Sequence, residues 1–215
     1  MKLDYKYEDT IGLLVHSYNN YLSGLIGFTE LAILESRQDE VTEKLEVALE
    51  SGVDAVTFGK QLLSSVSRLQ VDISPTQINP IIENLCHEKQ DSGRVCNFVD
   101  ESQSEAKIDT NPEWFYKCLN SIVRFCYEFS AKCEVTISTS VNDDNVLINV
   151  QVTEVNLTPA ESEKLFLPFY SSRHLLGQKD VGLAVVHGFV VQMDGTMSWH
   201  DKNGFTITIP KSEEK

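Results

Sequence analysis

Apolar side chains recur every three or four residues through the first third of the chain, which is the spacing of one helical face. Residues 8–36 form the first such stretch, with apolar side chains at Ile11, Leu14, Tyr18, Leu22, Leu25, Phe28 and Ala32. After a polar interval at residues 37–43, the pattern resumes and continues to Val66. It therefore predicts two long amphipathic helices that form an antiparallel hairpin. One copy cannot cover the apolar stripe of such a hairpin, so we expect two copies to form a dimeric four-helix bundle.

The helical pattern stops at residues 72–75, where Pro75 follows a polar run, and Asn79 and Pro80 then give a typical helix start. We place a domain boundary here, with a helical hairpin at residues 1–72 and a second domain at residues 73–215. The second domain mixes helices with alternating strands. Helices are predicted at 80–90, 112–131 and 181–193, and strands at 95–99, 134–140, 145–153, 196–200 and 204–209. This order predicts an α+β layer sandwich.

Composition and charge narrow the range of partners. With 32 acidic and 18 basic residues, the formal net charge is −14, which would repel both a nucleic-acid backbone and an anionic membrane surface. We therefore expect no nucleic acid and no membrane as partner. The sequence shows neither a signal peptide nor an apolar run long enough to cross a bilayer, so we expect a cytoplasmic protein.

The cysteines do not follow a recognisable ligand or disulfide pattern. There are five of them, without a Cys-x-x-Cys pair, and an odd number argues against a closed disulfide framework. A zinc site that combined them with His87 would have poor spacing. We interpret them as reduced and mostly buried thiols, and we predict no metal site.

Four segments resemble motifs of sensor histidine kinases. Residues 14–31 resemble the motif around the phospho-accepting histidine, which in one branch of the family reads His-acid-Phe-Asn-Asn-Leu-Leu. Residues 60–68 resemble the Gln-Leu-Leu-x-Phe-Ser-Arg end of the dimerisation domain, residues 165–172 the F-box, and residues 181–188 the end of the second glycine motif. These segments follow the family's order along nearly the whole chain. The resemblance implies a dimeric hairpin that carries the phospho-acceptor, followed by a histidine-kinase-like ATPase sandwich.

His16 is the residue that matches the phospho-accepting histidine. It lies two residues after Leu14 and two before Tyr18, so it is expected to point away from the apolar stripe. A neutral, exposed imidazole can accept a phosphoryl group and later donate it to an aspartate. A solitary histidine at such a place would be an ordinary surface residue, but the surrounding motif favours the phospho-acceptor.

The motifs that bind ATP in the family are altered in this sequence. In the family, two helix asparagines lie near the nucleotide and one of them holds Mg²⁺. Aligned on Leu119 and Ile122, their positions fall on Ser121 and Phe125. A phenyl ring offers no oxygen to a hard cation. This helix therefore lacks the expected Mg²⁺ ligand.

Both glycine motifs depart from the family in the same way. The first should place Asp and two glycines at Val152, Glu154 and Asn156. The second keeps only Gly182, and Gln178 and Asp180 stand at its other glycine positions. Close approach of the backbone to phosphate needs glycines, and a nearby aspartate repels it. We therefore expect neither ATP nor another cofactor to bind.

Ser17 stands where the family has the acidic residue that polarises the histidine for attack on ATP. Autophosphorylation is disfavoured for this second reason. Transfer from an aspartyl phosphate does not need that acid, because the response regulator brings its own Mg²⁺ and lysine. The leading hypothesis is a histidine phosphotransferase that relays phosphoryl groups between receiver domains of response regulators.

Two alternatives stay open, and an active kinase is the least favoured. One is a phosphatase of a response regulator, in which Asn20 would position the hydrolytic water. The other is a docking module for a receiver or a kinase without phosphoryl chemistry. In each case the partner surface should surround His16. We predict that it comprises Ser17, Asn19, Asn20, Ser23, Phe58, Gln61 and Leu62.

Overall fold

The computed structural model describes residues 5–102, 105–130, 132–171, 181–201 and 204–212, and for residues 5–14, 16, 17, 20 and 40 it describes the backbone alone. The chain divides into two compact units, residues 1–69 and residues 70–215. The division falls three residues before the boundary predicted from the sequence.

The N-terminal unit is a helical hairpin. Helix α1 spans Tyr5–Glu35 and helix α2 spans Asp39–Ser65, and the two pack against each other along their length. Only residues 36–38 connect them, a shorter link than the polar interval of the sequence. Helix α2 begins within the polar interval of the sequence because its first turns are acidic, and carboxylates stabilise the positive end of the helix dipole. At its other end Ser67 adopts a left-handed φ of 57°, and the Arg68 amide donates to the carbonyl of Leu63 at 2.8 Å.

The C-terminal unit combines strands and helices in the predicted α+β arrangement. Its elements in chain order are β1 Ser74–Gln77, α3 Asn79–Asp91, β2 Cys96–Asp100, β3 Lys107–Thr110, α4 Pro112–Phe129, β4 Val135–Val141, β5 Asn145–Val152, α5 Pro159–Ser162, α6 Ala184–Gln192, β6 Thr196–His200 and β7 Gly204–Pro210. Five strands form one sheet in the order β2-β4-β5-β7-β6, in which β2 is parallel to β4 and the other pairs are antiparallel. Strands β1 and β3 form a separate antiparallel pair.

One face of the large sheet is covered and the other is partly exposed. Alternate residues of the central strands are fully buried, among them Ile137, Ile148 and Ile207, whereas Thr136 and Thr206 on the opposite face are half-exposed. This alternation is the two-residue period of a strand with one buried face. Helices α3, α4 and α6 supply the other half of the core, with large side chains that are completely buried. The result is a two-layer sandwich.

None of the described helices is long and apolar enough to cross a membrane. All five cysteines are free and buried, as the sequence predicts. No group of three or more His, Cys, Asp or Glu residues in the described part of the chain is arranged to hold a metal ion.

Candidate functional site

His16 lies near the middle of α1, directly after Val15, whose side chain is buried in the hairpin. The side chains of His16, Ser17 and Asn20 are outside the described residues, as are Gln178 and Asp180 of the second glycine motif. The exposure of the His16 imidazole and the role of Asn20 therefore stay predictions.

A glycine on α2 brings the two helices together beside the His16 turn. A Cβ atom at Gly59 would lie 2.7 Å from Oδ1 of Asn19 and 3.4 Å from Cγ1 of Val15. Gly59 thus leaves the space that Asn19 occupies. Asn19 is consequently half-buried rather than fully exposed, and within the described residues its buried Oδ1 accepts no hydrogen bond.

The other predicted partner residues differ in exposure. Ser23 is exposed, although its hydroxyl donates to the backbone carbonyl of Asn19 at 2.9 Å. Phe58, Gln61 and Leu62 on α2 are half-buried. Ser23 can be reached from solvent most easily, and the α2 residues would offer only part of their surface.

A row of apolar side chains on α1 is exposed to solvent. We call it the α1 stripe: Tyr18, Tyr21, Leu25 and Phe28, which are 45%, 81%, 54% and 77% exposed. Their spacing of three, four and three residues is that of a helical seam that packs against another helix. Large aromatic residues at this exposure leave much apolar surface in contact with water.

Helix α4 carries Ser121 and Phe125, the positions that the family resemblance assigns to the two helix asparagines. The side chain of Asn111 caps the helix by accepting from the Trp114 amide at 2.9 Å, and Pro112 occupies its first turn. These two features fix the residue at which α4 begins. Phe125 lies on the buried face of the helix and is 6% exposed.

Phe125 belongs to an aromatic cluster that joins α4 to the sheet and to α6. Its ring centroid lies 5.9 Å from that of Phe129 and 6.1 Å from that of Phe205 on β7, the latter edge to face. Phe205 in turn meets Phe166 at 6.5 Å, and Phe166 stacks on His187 at 5.1 Å. These pairs have the separations of favourable aromatic contacts. Burial among them lowers the pKa of His187 because it disfavours the charged imidazolium.

Among the residues that the structure describes, the space beside Phe125 is small. Its lining residues are Ser121, Arg124, Phe125, Glu128, Ser171, Gly182 and Leu183, and the cavity holds about 10 Å³, room for about one water. Ser171 helps to close it, because its buried hydroxyl accepts a hydrogen bond from the Leu183 amide at 2.6 Å. Small-molecule pockets typically measure about 300–1,000 Å³.

The segment assigned to the first glycine motif keeps a backbone feature of glycine. Glu154 adopts a φ of 61°, a left-handed conformation that L-residues rarely take. Val152 ends β5, and Glu154 and Asn156 are exposed. The left-handed backbone falls at the position where the family alignment places a glycine, which supports that alignment.

Residues 110–214 match the family described as "Histidine kinase-, DNA gyrase B-, and HSP90-like ATPase". The C-terminal unit is therefore similar to histidine-kinase-like ATPase domains and shares their α+β sandwich fold. Full-length ShkA in complex with AMPPNP matches 96% of this chain at 16% identity and a TM-score of 0.67, and this chain spans 47% of ShkA. The Acinetobacter baumannii histidine kinase AdeS matches 89% of this chain, and 96% of AdeS is covered, at 16% identity and a TM-score of 0.59.

A third similar structure is that of the histidine kinase ThkA in complex with the response regulator TrrA. It matches 93% of this chain and 60% of the ThkA chain, at 13% identity and a TM-score of 0.56. At these identities the likeness shows a shared fold. It extends over the helical hairpin as well as the ATPase-like sandwich, because each of the three matches covers far more than the C-terminal unit.

Proposed function

We propose that this protein is a dimeric histidine phosphotransferase that relays phosphoryl groups between response-regulator receiver domains through His16, without binding ATP. In the forward step, an imidazole nitrogen of His16 attacks the phosphorus of an aspartyl phosphate. The N–P bond forms as the O–P bond to the aspartate breaks, and the Mg²⁺ of the receiver balances the charge. The reverse step loads the next receiver.

The observation that carries the proposal is the phenyl ring at position 125. In the family, an amide oxygen at this helix position holds Mg²⁺ against the nucleotide. Here Phe125 packs into the aromatic cluster with Phe129 and Phe205 and borders a cavity of about 10 Å³. An ATP-dependent kinase would need both the ligand and the space, so this packing supports a protein whose phosphoryl group comes from elsewhere.

The α1 stripe supports the dimer. Four large apolar side chains in one row would stay in water if the hairpin were alone, and a second copy related by a twofold axis offers the same row. Packing the two rows together would give the four-helix bundle predicted from the sequence.

A receiver domain as partner is supported by a structural likeness. The hairpin and sandwich of this chain resemble ThkA, which has been solved in complex with the response regulator TrrA. The surface that binds a receiver must surround His16, because the receiver has to bring its aspartyl phosphate into line with the imidazole.

The direct test is phosphotransfer from a phosphorylated receiver. We expect acid-labile label on the wild-type protein and none on His16→Ala, because the imidazole is the only acceptor proposed. His87→Ala is the matched control, since His87 is an exposed helical histidine of the other unit, and it should accept label as the wild type does. Labelling of His16→Ala, or a wild type that takes no label from any receiver encoded beside it, would contradict the proposal.

Calorimetry with Mg-ATP tests separately the proposal that the protein does not bind ATP. We expect no heat of binding and no label from [γ-³²P]ATP. Tight binding of the nucleotide would overturn the ATP-free part while leaving His16 as acceptor. Free phosphate that appears faster than phosphohistidine, and that disappears in Asn20→Ala, would instead favour the phosphatase.

A further inference from the structure

Two cysteine thiols of the C-terminal unit are in contact. Cys86 lies in α3 and Cys96 is the first residue of β2, and their sulfur atoms are 3.1 Å apart. Both side chains are buried. A disulfide bond has an S–S distance of about 2.05 Å, so the two sulfurs need to approach by only about 1 Å.

The chain between the two cysteines forms a tight turn. Gly93 adopts a φ of 76°, and the Arg94 amide donates to the Lys89 carbonyl at 2.9 Å, which closes the end of α3. The side chain of Gln90 then donates to the carbonyl of Cys96 at 2.6 Å and fixes the start of β2 against the helix. The pairing of the two sulfurs is therefore built into the fold and does not depend on a loose loop.

The two thiols are chemically unequal. The hydrogen bond from Cys86 lowers the pKa of Cys96, and the charge of Lys89 acts in the same direction, whereas the same contact and burial raise the pKa of Cys86. The Tyr127 hydroxyl, which donates to the Val95 carbonyl at 3.0 Å, also acts to lower the pKa of Cys96. Cys96 is thus the better nucleophile and Cys86 a neighbouring thiol that can resolve its oxidised form.

We propose that Cys86 and Cys96 are a redox modification site, which closes to a reversible intrachain disulfide on reaction with hydrogen peroxide. The Cys96 thiolate attacks one peroxide oxygen, the O–O bond breaks, and the released hydroxide takes up a proton to give water and a sulfenic acid. The Cys86 sulfur then attacks the sulfenic sulfur. The S–O bond breaks, and the leaving hydroxide takes the Cys86 proton as a second water. One hydrogen peroxide is reduced and two thiols are oxidised.

Local opening at the edge of the sheet would give a small oxidant access to this buried pair. Strand β2 pairs only with β4 in the described sheet, and Val95, just before Cys96, is 45% exposed. An edge strand opens locally at a lower free energy than a central one. Cys118 in α4 differs, because burial alone raises its pKa, and it is the natural control.

The test is peptide mapping of the full chain after treatment with hydrogen peroxide. We expect one disulfide-linked pair of peptides that contains Cys86 and Cys96, which dithiothreitol separates again. Closing this short ring should raise the thermal midpoint of the oxidised protein by roughly 5–10 °C over the reduced protein. This measurement needs no variant. A wild type that keeps five free thiols, or that links Cys96 to Cys126 or Cys133, would overturn the proposal.

Variants separate the roles of the two sulfurs. In Cys86→Ser the sulfenic acid on Cys96 has no resolving thiol, so dimedone should label Cys96. In Cys96→Ser we expect no dimedone on Cys86, and Cys118→Ser should form the disulfide as the wild type does. Dimedone found on Cys86 instead, or loss of the disulfide in Cys118→Ser, would contradict the assignment. None of these readouts depends on His16, so their failure is distinct from failure of phosphotransfer.

Discussion

Replacing Phe28 by alanine tests the proposed dimer, because Phe28 carries the exposed phenyl ring of the α1 stripe. Phe28 lies at one end of the α1 stripe and is 77% exposed in the single chain. If two copies pack through this stripe, the ring is buried in the bundle and each dimer loses it twice. The reduction in affinity should therefore be large.

The magnitude follows from the exposed area. A phenylalanine offers about 200 Å² of surface, so about 150 Å² of Phe28 is available for burial. Burying a phenylalanine side chain contributes about 2–3 kcal/mol, so truncation at both copies should cost the dimer about 4–6 kcal/mol. That corresponds to a dissociation constant raised by about a thousandfold or more.

Analytical ultracentrifugation over a concentration series measures this constant. The matched control is Leu34→Ala, because Leu34 is 81% exposed but lies nine residues, or two and a half helical turns, beyond Leu25 and so on the opposite side of α1. We expect Leu34→Ala to remain as dimeric as the wild type. A wild type that sediments as a monomer, or a Leu34→Ala that dissociates as readily as Phe28→Ala, would refute the use of the stripe as interface.

Three further predictions concern packing and protonation. Phe125→Ala should lower the free energy of unfolding by about 3–5 kcal/mol in urea titrations, because it removes a buried ring that contacts Phe129 and Phe205, while Phe125→Leu, which keeps a branched apolar side chain there, should lower it by less. Because burial lowers the pKa of His187 below its ordinary 6.5, the unfolded chain binds a proton that the folded chain does not, so stability should fall as the pH drops below that value. Unfolding free energies measured between about pH 7.5 and pH 5.5 should therefore depend less on pH in His187→Leu than in the wild type. Gly59→Leu should destabilise the hairpin by about 1–3 kcal/mol through its contact with Asn19, whereas Gly24→Leu, where a Cβ meets no atom within 4 Å, should not lower the thermal midpoint.

The sequence predicted the elements that have a strong local period. Helices α1, α2 and α4 repeat their apolar side chains over many turns, and strands β4 and β5 alternate apolar and polar side chains over most of their length, so their positions follow from the side chains alone. Strands β1 and β3 and helix α5 were not predicted. Each of them has only four residues, and β1 contains Pro75, so too few positions exist for a period to show. These strands form because they pair with each other across the chain, which no local pattern reports.

The sites were predictable in part for the same reason. The motif around His16 is contiguous, so its resemblance to the family is visible in the sequence alone, and the role of His16 stays a prediction. The half-burial of Asn19 depends on Gly59, forty residues further along the chain. The contact of Phe125 with Phe205 likewise joins distant segments. The pairing of Cys86 with Cys96 is close in sequence, but it depends on the exact turn at Gly93, and the spacing of the cysteines alone gave no sign of it.

The glycine at position 182 is explained by its backbone conformation. Its φ of 82° is a left-handed conformation that glycine adopts without steric penalty, and α6 begins two residues later at Ala184. This turn requires a glycine whether or not phosphate is bound, so the survival of Gly182 is no argument for nucleotide binding. Glu154 gives the complementary case, since it keeps a left-handed backbone without the glycine. At these two positions the presence or absence of a glycine therefore reports the local backbone turn, and taken alone it is evidence neither for nor against nucleotide binding.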